Sequence, residues 1–228
     1  MGDFVLYLAF MIPPLLIGLA VQWWLKRTFA TYSNVQIGSG LPGAQVARQI
    51  LDRNGLSEIP VESSPGGPLS DHYDPRKKAL FLSEPVYSPP SVAAAAVAAH
   101  ETGHALQDAA GYAPLKIRSA MYPAVAFAST AWIWLLIIGA VLNALNLVAL
   151  ALILYGVAVL FHIVTLPVEF NASRRASAQL VELGIVGAGE QAGVNKVLRA
   201  AALTYVAGAL AALSLLLYYA LIFFGNRD

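Results

Sequence analysis

Three stretches of the chain carry no Asp, Glu, Lys or Arg: Phe4 to Leu25, Ser119 to Val168 and Ala200 to Asn226, of 22, 50 and 27 residues. A bilayer hydrocarbon core of about 30 Å takes roughly 20 helical residues, so the first and last stretches each predict one membrane span. At 1.5 Å per residue the middle stretch would make a helix of about 75 Å. It therefore predicts a hairpin, with Asn143-Ala-Leu-Asn146 as its turn. Four spans follow, near 4 to 25, 123 to 142, 147 to 168 and 201 to 224.

Between the first two stretches the pattern becomes that of a water-facing region. Val46, Ala47, Ile50 and Leu51 fall on one face of a helix over Pro42 to Asn54, with Pro42 near its start and Gly55 after its end. Pro60 to Pro68, rich in Ser, Pro and Gly, reads as loop. Leu69 to Tyr73 and Ala79 to Ser83 flank Asp74-Pro-Arg-Lys77, a strand, turn and strand. Ser88 or Ser91 can cap a following helix that runs to about Ala109, with Pro89 and Pro90 tolerated in its first turn.

Composition agrees. Of 228 residues, 58% are hydrophobic and only 12% charged, against roughly 25% charged in an ordinary soluble domain. A net charge of +1 gives no electrostatic reason to expect a nucleic-acid partner, and none is expected. The absence of cysteine excludes disulfides, thiolate ligands and cysteine nucleophiles, so any metal must use His, Asp or Glu. Lys26-Arg27 follow the first stretch and no basic residue precedes it, which fits a retained anchor better than a secretory signal. With four spans, residues 26–122 and 169–200 share one side. They hold nine and four Lys or Arg, and the other side has only Arg227. The basic excess places both segments in the cytoplasm, at the cell membrane.

The chemistry is concentrated in His100-Glu-Thr-Gly-His104. Two imidazoles four residues apart project from one helix face, a spacing that suits a single zinc ion. Glu101 is turned about 100° from His100, so it can reach an attacking water without joining the ligands. A catalytic zinc needs a third protein ligand. His72, His162 and the other carboxylates are candidates. Glu169 is the best, because it ends the 50-residue charge-free stretch, where a lone carboxylate is costly unless paired or metal-bound. His72 and Tyr73, near a strand end, are candidate hydrogen-bond donors to an oxyanion. Arg174 and Arg175 are candidates either for a substrate carboxylate or backbone, or for anchoring at the membrane surface.

Four strings carry a resemblance: Asp71-His-Tyr-Asp-Pro75, Ala98-Ala-His-Glu-Thr-Gly-His-Ala-Leu-Gln107, Gly111-Tyr-Ala-Pro-Leu-Lys116 and Leu166-Pro-Val-Glu-Phe-Asn-Ala-Ser-Arg-Arg175. They resemble the YugP-type membrane zinc metallopeptidases over nearly the whole chain. More distantly, Glu169-Phe-Asn-Ala-Ser173 is similar to the Glu-x-x-Ala-Asp segment of HtpX and CAAX prenyl proteases. That similarity implies Glu169 as the third ligand of one catalytic zinc ion. It departs at Ser173, where those relatives have an Asp that steadies the first metal histidine.

The expected fold is mainly α, a polytopic membrane protein with four transmembrane helices and a small cytoplasmic α+β zincin-like region. The expected division is 1–25 for the first span, 26–122 for the cytoplasmic region with the metal helix, 123–168 for the hairpin, 169–200 for a cytoplasmic segment with the third ligand, and 201–228 for the last span and tail. The expected activity is zinc-dependent cleavage of peptides or membrane proteins, with His100, His104 and Glu169 as ligands and Glu101 as general base. The strand Ala79 to Ser83 is the expected edge for pairing an extended substrate. Two alternatives compete. A scaffold with structural zinc would need a fourth ligand to close the site. A site-2-type intramembrane protease would need a spanning metal helix, yet the apolar stretch before His100 runs only from Val92 to Ala99.

Overall fold

A computed structural model describes residues 2–225, with side chains from Phe4 onward. Arg227, expected on the far side of the membrane, and the end of the expected tail lie outside the described residues. In chain order the elements are α1 (Gly2–Ser33), α2 (Gly43–Arg53), β1 (Val61–Ser63), β2 (His72–Asp74), β3 (Ala79–Leu82), α3 (Glu84–Tyr87), α4 (Val92–Ala109), α5 (Ala113–Val141), α6 (Leu145–Glu182) and α7 (Ala188–Gly225). Helices dominate, and the sheet is small.

Four helices are long and apolar enough to cross a membrane: Phe4–Ser33, Ala113–Val141, Leu145–Glu182 and Ala188–Gly225. Each matches a span read from the charge-free stretches and extends beyond it on at least one side. A charged side chain does not end a helix; a cap or a turn does. The hairpin turn falls at Leu142 to Ala144, where Asn143 takes a left-handed conformation (φ 51°) that Asn tolerates.

The chain forms two compact units. The first comprises Met1–Val21, Lys116–Pro167 and Thr204–Asp228. Its large apolar side chains, among them Leu15, Phe127, Trp134 and Ile153, are exposed, as suits a surface solvated by lipid. Inside it, Tyr155, Val159 and Ala212 pack together. His162 lies beside Gly208, where an added Cβ would come 3.6 Å from the imidazole.

The second unit, Gln22–Leu115 and Val168–Leu203, has an interior of its own. Val46 and Ile50 of α2, the alanines of α4, Ala176 and Leu180 of α6 and Val194 and Val197 of α7 form one buried cluster. Ala47 and Leu51 turn instead to Tyr73, Leu80 and Leu82 of the sheet. The two faces of α2 thus join helices to strands. Pro42 is its N-cap, and Asn54 with left-handed Gly55 (φ 72°) ends it. Ser91 caps α4: its hydroxyl accepts the Ala94 N–H at 3.1 Å. Pro89 and Pro90 therefore precede the helix instead of entering its first turn, and the Pro90 carbonyl accepts from Ile37.

Two expectations change. Val61 to Ser63, read as loop, forms β1, a three-residue strand too short to carry a periodic signal. Ala79 to Ser83, the expected substrate edge, is instead the centre of the sheet. The order is β1-β3-β2, with β1 parallel to β3 and β2 antiparallel, so both sides of β3 are occupied. The turn between β2 and β3 is held by Asp74 Oδ1, which accepts the N–H groups of Arg76 and Lys77.

Gly43 at the start of α2 tests how tightly this unit packs. A Cβ there would lie 2.0 Å from the Val86 carbonyl oxygen, a backbone atom that cannot swing aside. Gly43→Ala should destabilise the protein by about 1–3 kcal/mol, read as a lower thermal midpoint of the full chain in detergent. Gly189→Ala, in α7 with nothing within 4 Å of the added Cβ, should leave the midpoint unchanged or slightly raised.

Candidate metal centre

Helix α4 is the middle of the second unit, and its alanines explain how a helix carrying polar chemistry comes to be buried. Ala93 to Ala96, Ala98 and Ala99 are nearly or wholly inaccessible, so neighbouring elements approach its backbone closely. The sharpest approach is at Gly103. A Cβ there would stand 2.6 Å from the Ala172 carbonyl oxygen and 3.2 Å from the Ala172 Cα. The glycine inside His100-Glu-Thr-Gly-His104 thus lets α6 lie directly against α4.

This contact brings Glu169, three residues before Ala172, against the histidine face. Glu169 is 1% exposed, His104 8% and His100 9%. Glu169 Oε2 is 3.2 Å from His100 Nε2 and 3.7 Å from His104 Nε2. The imidazoles stand edge to face with centroids 4.9 Å apart. One donor atom from each of the three side chains lies within 4.8 Å of the others, a cluster that could hold a metal ion. Tetrahedral ligands at about 2.0–2.1 Å from zinc sit roughly 3.3 Å apart, so the spacing fits with small adjustments. Two neutral nitrogens and one carboxylate are also a donor set of a catalytic zinc site.

A second layer orients the rings. Gln107 is fully buried, and its Nε2 donates to the Val168 carbonyl (2.8 Å) and Asn171 Oδ1 (3.0 Å). Since Val168 O can only accept, the amide orientation is settled and Gln107 Oε1 faces His104 Nδ1 at 3.0 Å. His104 must then carry its proton on Nδ1, leaving the Nε2 lone pair for a cation. Arg175 Nε donates to Asn171 Oδ1 at 2.8 Å and closes the chain of contacts. Behind His100, Ser173 Oγ lies 3.2 Å from Nδ1. It offers that ring a neutral hydroxyl.

Glu101 projects toward the sheet. Its Oε2 accepts the backbone N–H of Tyr73 at 3.2 Å, so the edge of β2 that faces away from β3 lies against it. Burial pushes its carboxyl up to about 7. The charge of His100 works against that rise, and those of Glu169 and Asp71 add to it. Tyr73 is fastened from the other end, with its hydroxyl donating to Asp108 Oδ2 at 2.8 Å. Asp108 is also paired with Lys78. Its burial and Asp108 push the phenol well above the usual range. Asp71 ties the start of β2 to the end of β3 by accepting from Ser83 N (2.7 Å) and Ser83 Oγ.

The structure therefore gathers His100, His104 and Glu169, sets Glu101 beside Tyr73, and places the remaining candidates elsewhere. His72 is exposed, stacked on Phe81 with centroids 4.9 Å apart, and its Nδ1 meets the Ser70 carbonyl at 2.8 Å. That contact assigns the proton to Nδ1, so neutral His72 offers an acceptor at Nε2. Arg174 is exposed and, five residues after Glu169, points about 140° away around α6. Gln107 and the backbone of Tyr73 escaped the sequence reading. The spacing of Gln107, three residues after His104 on one helix face, was the available signal. Nothing in the sequence marks the Tyr73 N–H.

Comparison with known proteins bears on this geometry. A family model described as "putative neutral zinc metallopeptidase" matches residues 7–224. The "putative membrane protease YugP" of Bacillus subtilis is 49% identical over 207 residues, covering 91% of this chain and 92% of that protein. No solved structure matches the chain.

Two substitutions test the cluster through metal affinity, read with zinc by competition titration of the full chain. Glu169→Gln removes the charge among the three donors and should weaken zinc by 10-fold or more. Gln107→Leu leaves all three donors but frees the His104 ring, and should weaken zinc about 10–100-fold. Unchanged zinc affinity in Glu169→Gln would remove Glu169 from the ligand set.

Proposed function

The chain belongs to the neutral zinc metallopeptidase family, and on that premise we propose that it is an integral membrane endopeptidase. It cuts peptide or membrane-protein substrates with His100, His104 and Glu169 holding one zinc ion and Glu101 acting as general base. The observation that carries the proposal is the three-donor cluster with a carboxylate, Glu101, next to it but outside it. A structural site would be closed by a fourth ligand, and among the described residues the cluster has three members.

A bound zinc ion supplies Lewis acidity, lowering the pKa of water and polarising a scissile carbonyl. The protein's own groups do the rest. Gln107 and Ser173 hold the two imidazoles so that their Nε2 atoms converge. Glu101 takes the proton of the attacking water and later delivers it to the leaving amine nitrogen. Its raised pKa reflects burial without a cation; a dication nearby favours the ionised form that a base requires. Tyr73 positions the Glu101 carboxylate through its backbone N–H.

In this proposal the catalytic region is zincin-like and lies at the cytoplasmic membrane face. Residues 26–122 and 169–200 belong to that side, and residues 1–25, 123–168 and 201–228 to the spans and tail. The support is the surplus of Lys and Arg in 26–122 and 169–200, and the place of Glu169 directly after the longest charge-free stretch. Helix α4 is not among the four candidate spanning helices in the described residues, which speaks against a site-2-type protease.

Glu101→Gln separates enzyme from scaffold. At equal zinc occupancy, cleavage of unstructured peptides should fall about 10²–10⁴-fold, while zinc content and thermal midpoint stay close to the parent. Equal cleavage by both proteins would eliminate Glu101 as base, and no cleavage by either would favour the scaffold.

A further inference from the structure

Beyond the metal cluster, the second unit has a groove of about 690 Å³ between the final turns of α6 and the first turns of α7. Ser177 Oγ donates to Asn195 Oδ1 at 2.8 Å, which puts those two residues at one level. The helices run in opposite directions, joined by the short turn after Glu182. One turn from that level, Arg174 on α6 therefore faces Leu198 and Arg199 on α7. A further turn brings Phe170 opposite Ala202. All of these line the groove. The two arginines thus leave opposite helices at one level, both are exposed, and neither forms an ion pair with a described residue. Glu182, the acid in the lining, lies eight residues from Arg174, about 12 Å along the helix, and accepts from Gln179.

The two ends of the groove differ in chemistry. Phe170 comes two residues after the charge-free stretch that ends at Val168, and Ala202 falls inside the one that begins at Ala200. The Phe170 and Ala202 end thus adjoins the segments read as spans, and the arginines stand just beyond it, where polar headgroups begin. Phe170, Leu198 and Ala202 provide an apolar wall leading to a pair of cations. Arginine forks match the oxygens of a phosphate, and basic pockets beside spanning helices suit anionic headgroups.

We propose that the groove between α6 and α7 is a binding site for an anionic phospholipid, with Arg174 and Arg199 clamping its phosphate and an acyl chain running along Phe170 and Ala202. The site is separate from the metal cluster and does not depend on peptidase activity. It turns Arg174 from a candidate substrate contact into a lipid ligand.

The test uses the full chain in a nonionic detergent, with dioleoylphosphatidylglycerol and dioleoylphosphatidylcholine offered in turn and retained lipid counted by native mass spectrometry. The parent should keep phosphatidylglycerol in preference to phosphatidylcholine. Arg174→Gln and Arg199→Gln should each weaken retention about 5-fold, and the double variant about 30-fold. Arg53→Gln, which loses the same charge from an exposed position at the end of α2, should retain the lipid as the parent does. Both arginines are exposed, and an unchanged thermal midpoint in the double variant confirms that loss of lipid is not loss of fold. Equal retention of the two lipids by the parent would overturn the proposal, as would full retention by the double variant. Displacement by inorganic phosphate at the same concentration would assign the site to free phosphate, and displacement by an acidic peptide would assign it to substrate; both would overturn it.

Discussion

A carboxylate that is 1% exposed has to be matched by something, and the rest of the second unit follows from how Glu169 is matched. Isolated burial of an ionised carboxylate is among the costliest events in folding. Here it is met by two imidazoles at 3.2 and 3.7 Å. Those distances require α4 and α6 to touch at backbone range, which in turn requires no side chain at Gly103, where even a Cβ would stand 2.6 Å from the Ala172 carbonyl oxygen. The alanines upstream serve the same geometry along the helix. Polar chemistry and close packing are therefore one constraint: the ligands can converge only because the residues around them are small.

Rigidity is added by groups that no cation touches. A ring on two rotatable bonds would sample orientations in which Nε2 points away from the cluster, and each such orientation would reduce affinity. Gln107 suppresses them for His104, and is itself held by a backbone carbonyl and by Asn171, which Arg175 holds in turn. Ser173 meets His100 through one hydroxyl contact at 3.2 Å. The two histidines are thus supported unequally, His104 by a network and His100 by a single hydroxyl.

Much of this was legible because absence of charge is a one-dimensional signal. The four long helices follow from three charge-free stretches, and Glu169 stood out as the lone carboxylate at the end of the longest. Ser91, Pro42 and Gly55 marked helix ends through cap chemistry that acts locally. Other features lie outside that signal. Helix α6 continues fourteen residues past Val168 because Ala172, Ala176 and Leu180 give it a buried stripe, a signal outside the charge-free stretch. Three-residue β1 has no periodicity, and it exists because β3 offers a backbone edge. The same pairing closes β3 and leaves β1 and β2 as the outer strands. Neither the closeness of α6 to Gly103 nor the Tyr73 N–H carries a mark in the sequence.

Helix α6 also shows how one element serves two sites without mixing them. Glu169, Ala172, Ser173 and Ala176 line the side that packs toward α4, where small side chains permit approach and the polar atoms meet histidine nitrogens. Phe170, Arg174, Ser177 and Val181 are turned roughly a quarter to a third of a revolution away, onto the groove shared with α7. Ser173 is the one residue that belongs to both, bonding His100 while lining the groove. A change in what fills the groove would reach His100 through that hydroxyl at 3.2 Å, a single neutral contact. The Gln107 network lies on His104 instead and has no member in the groove.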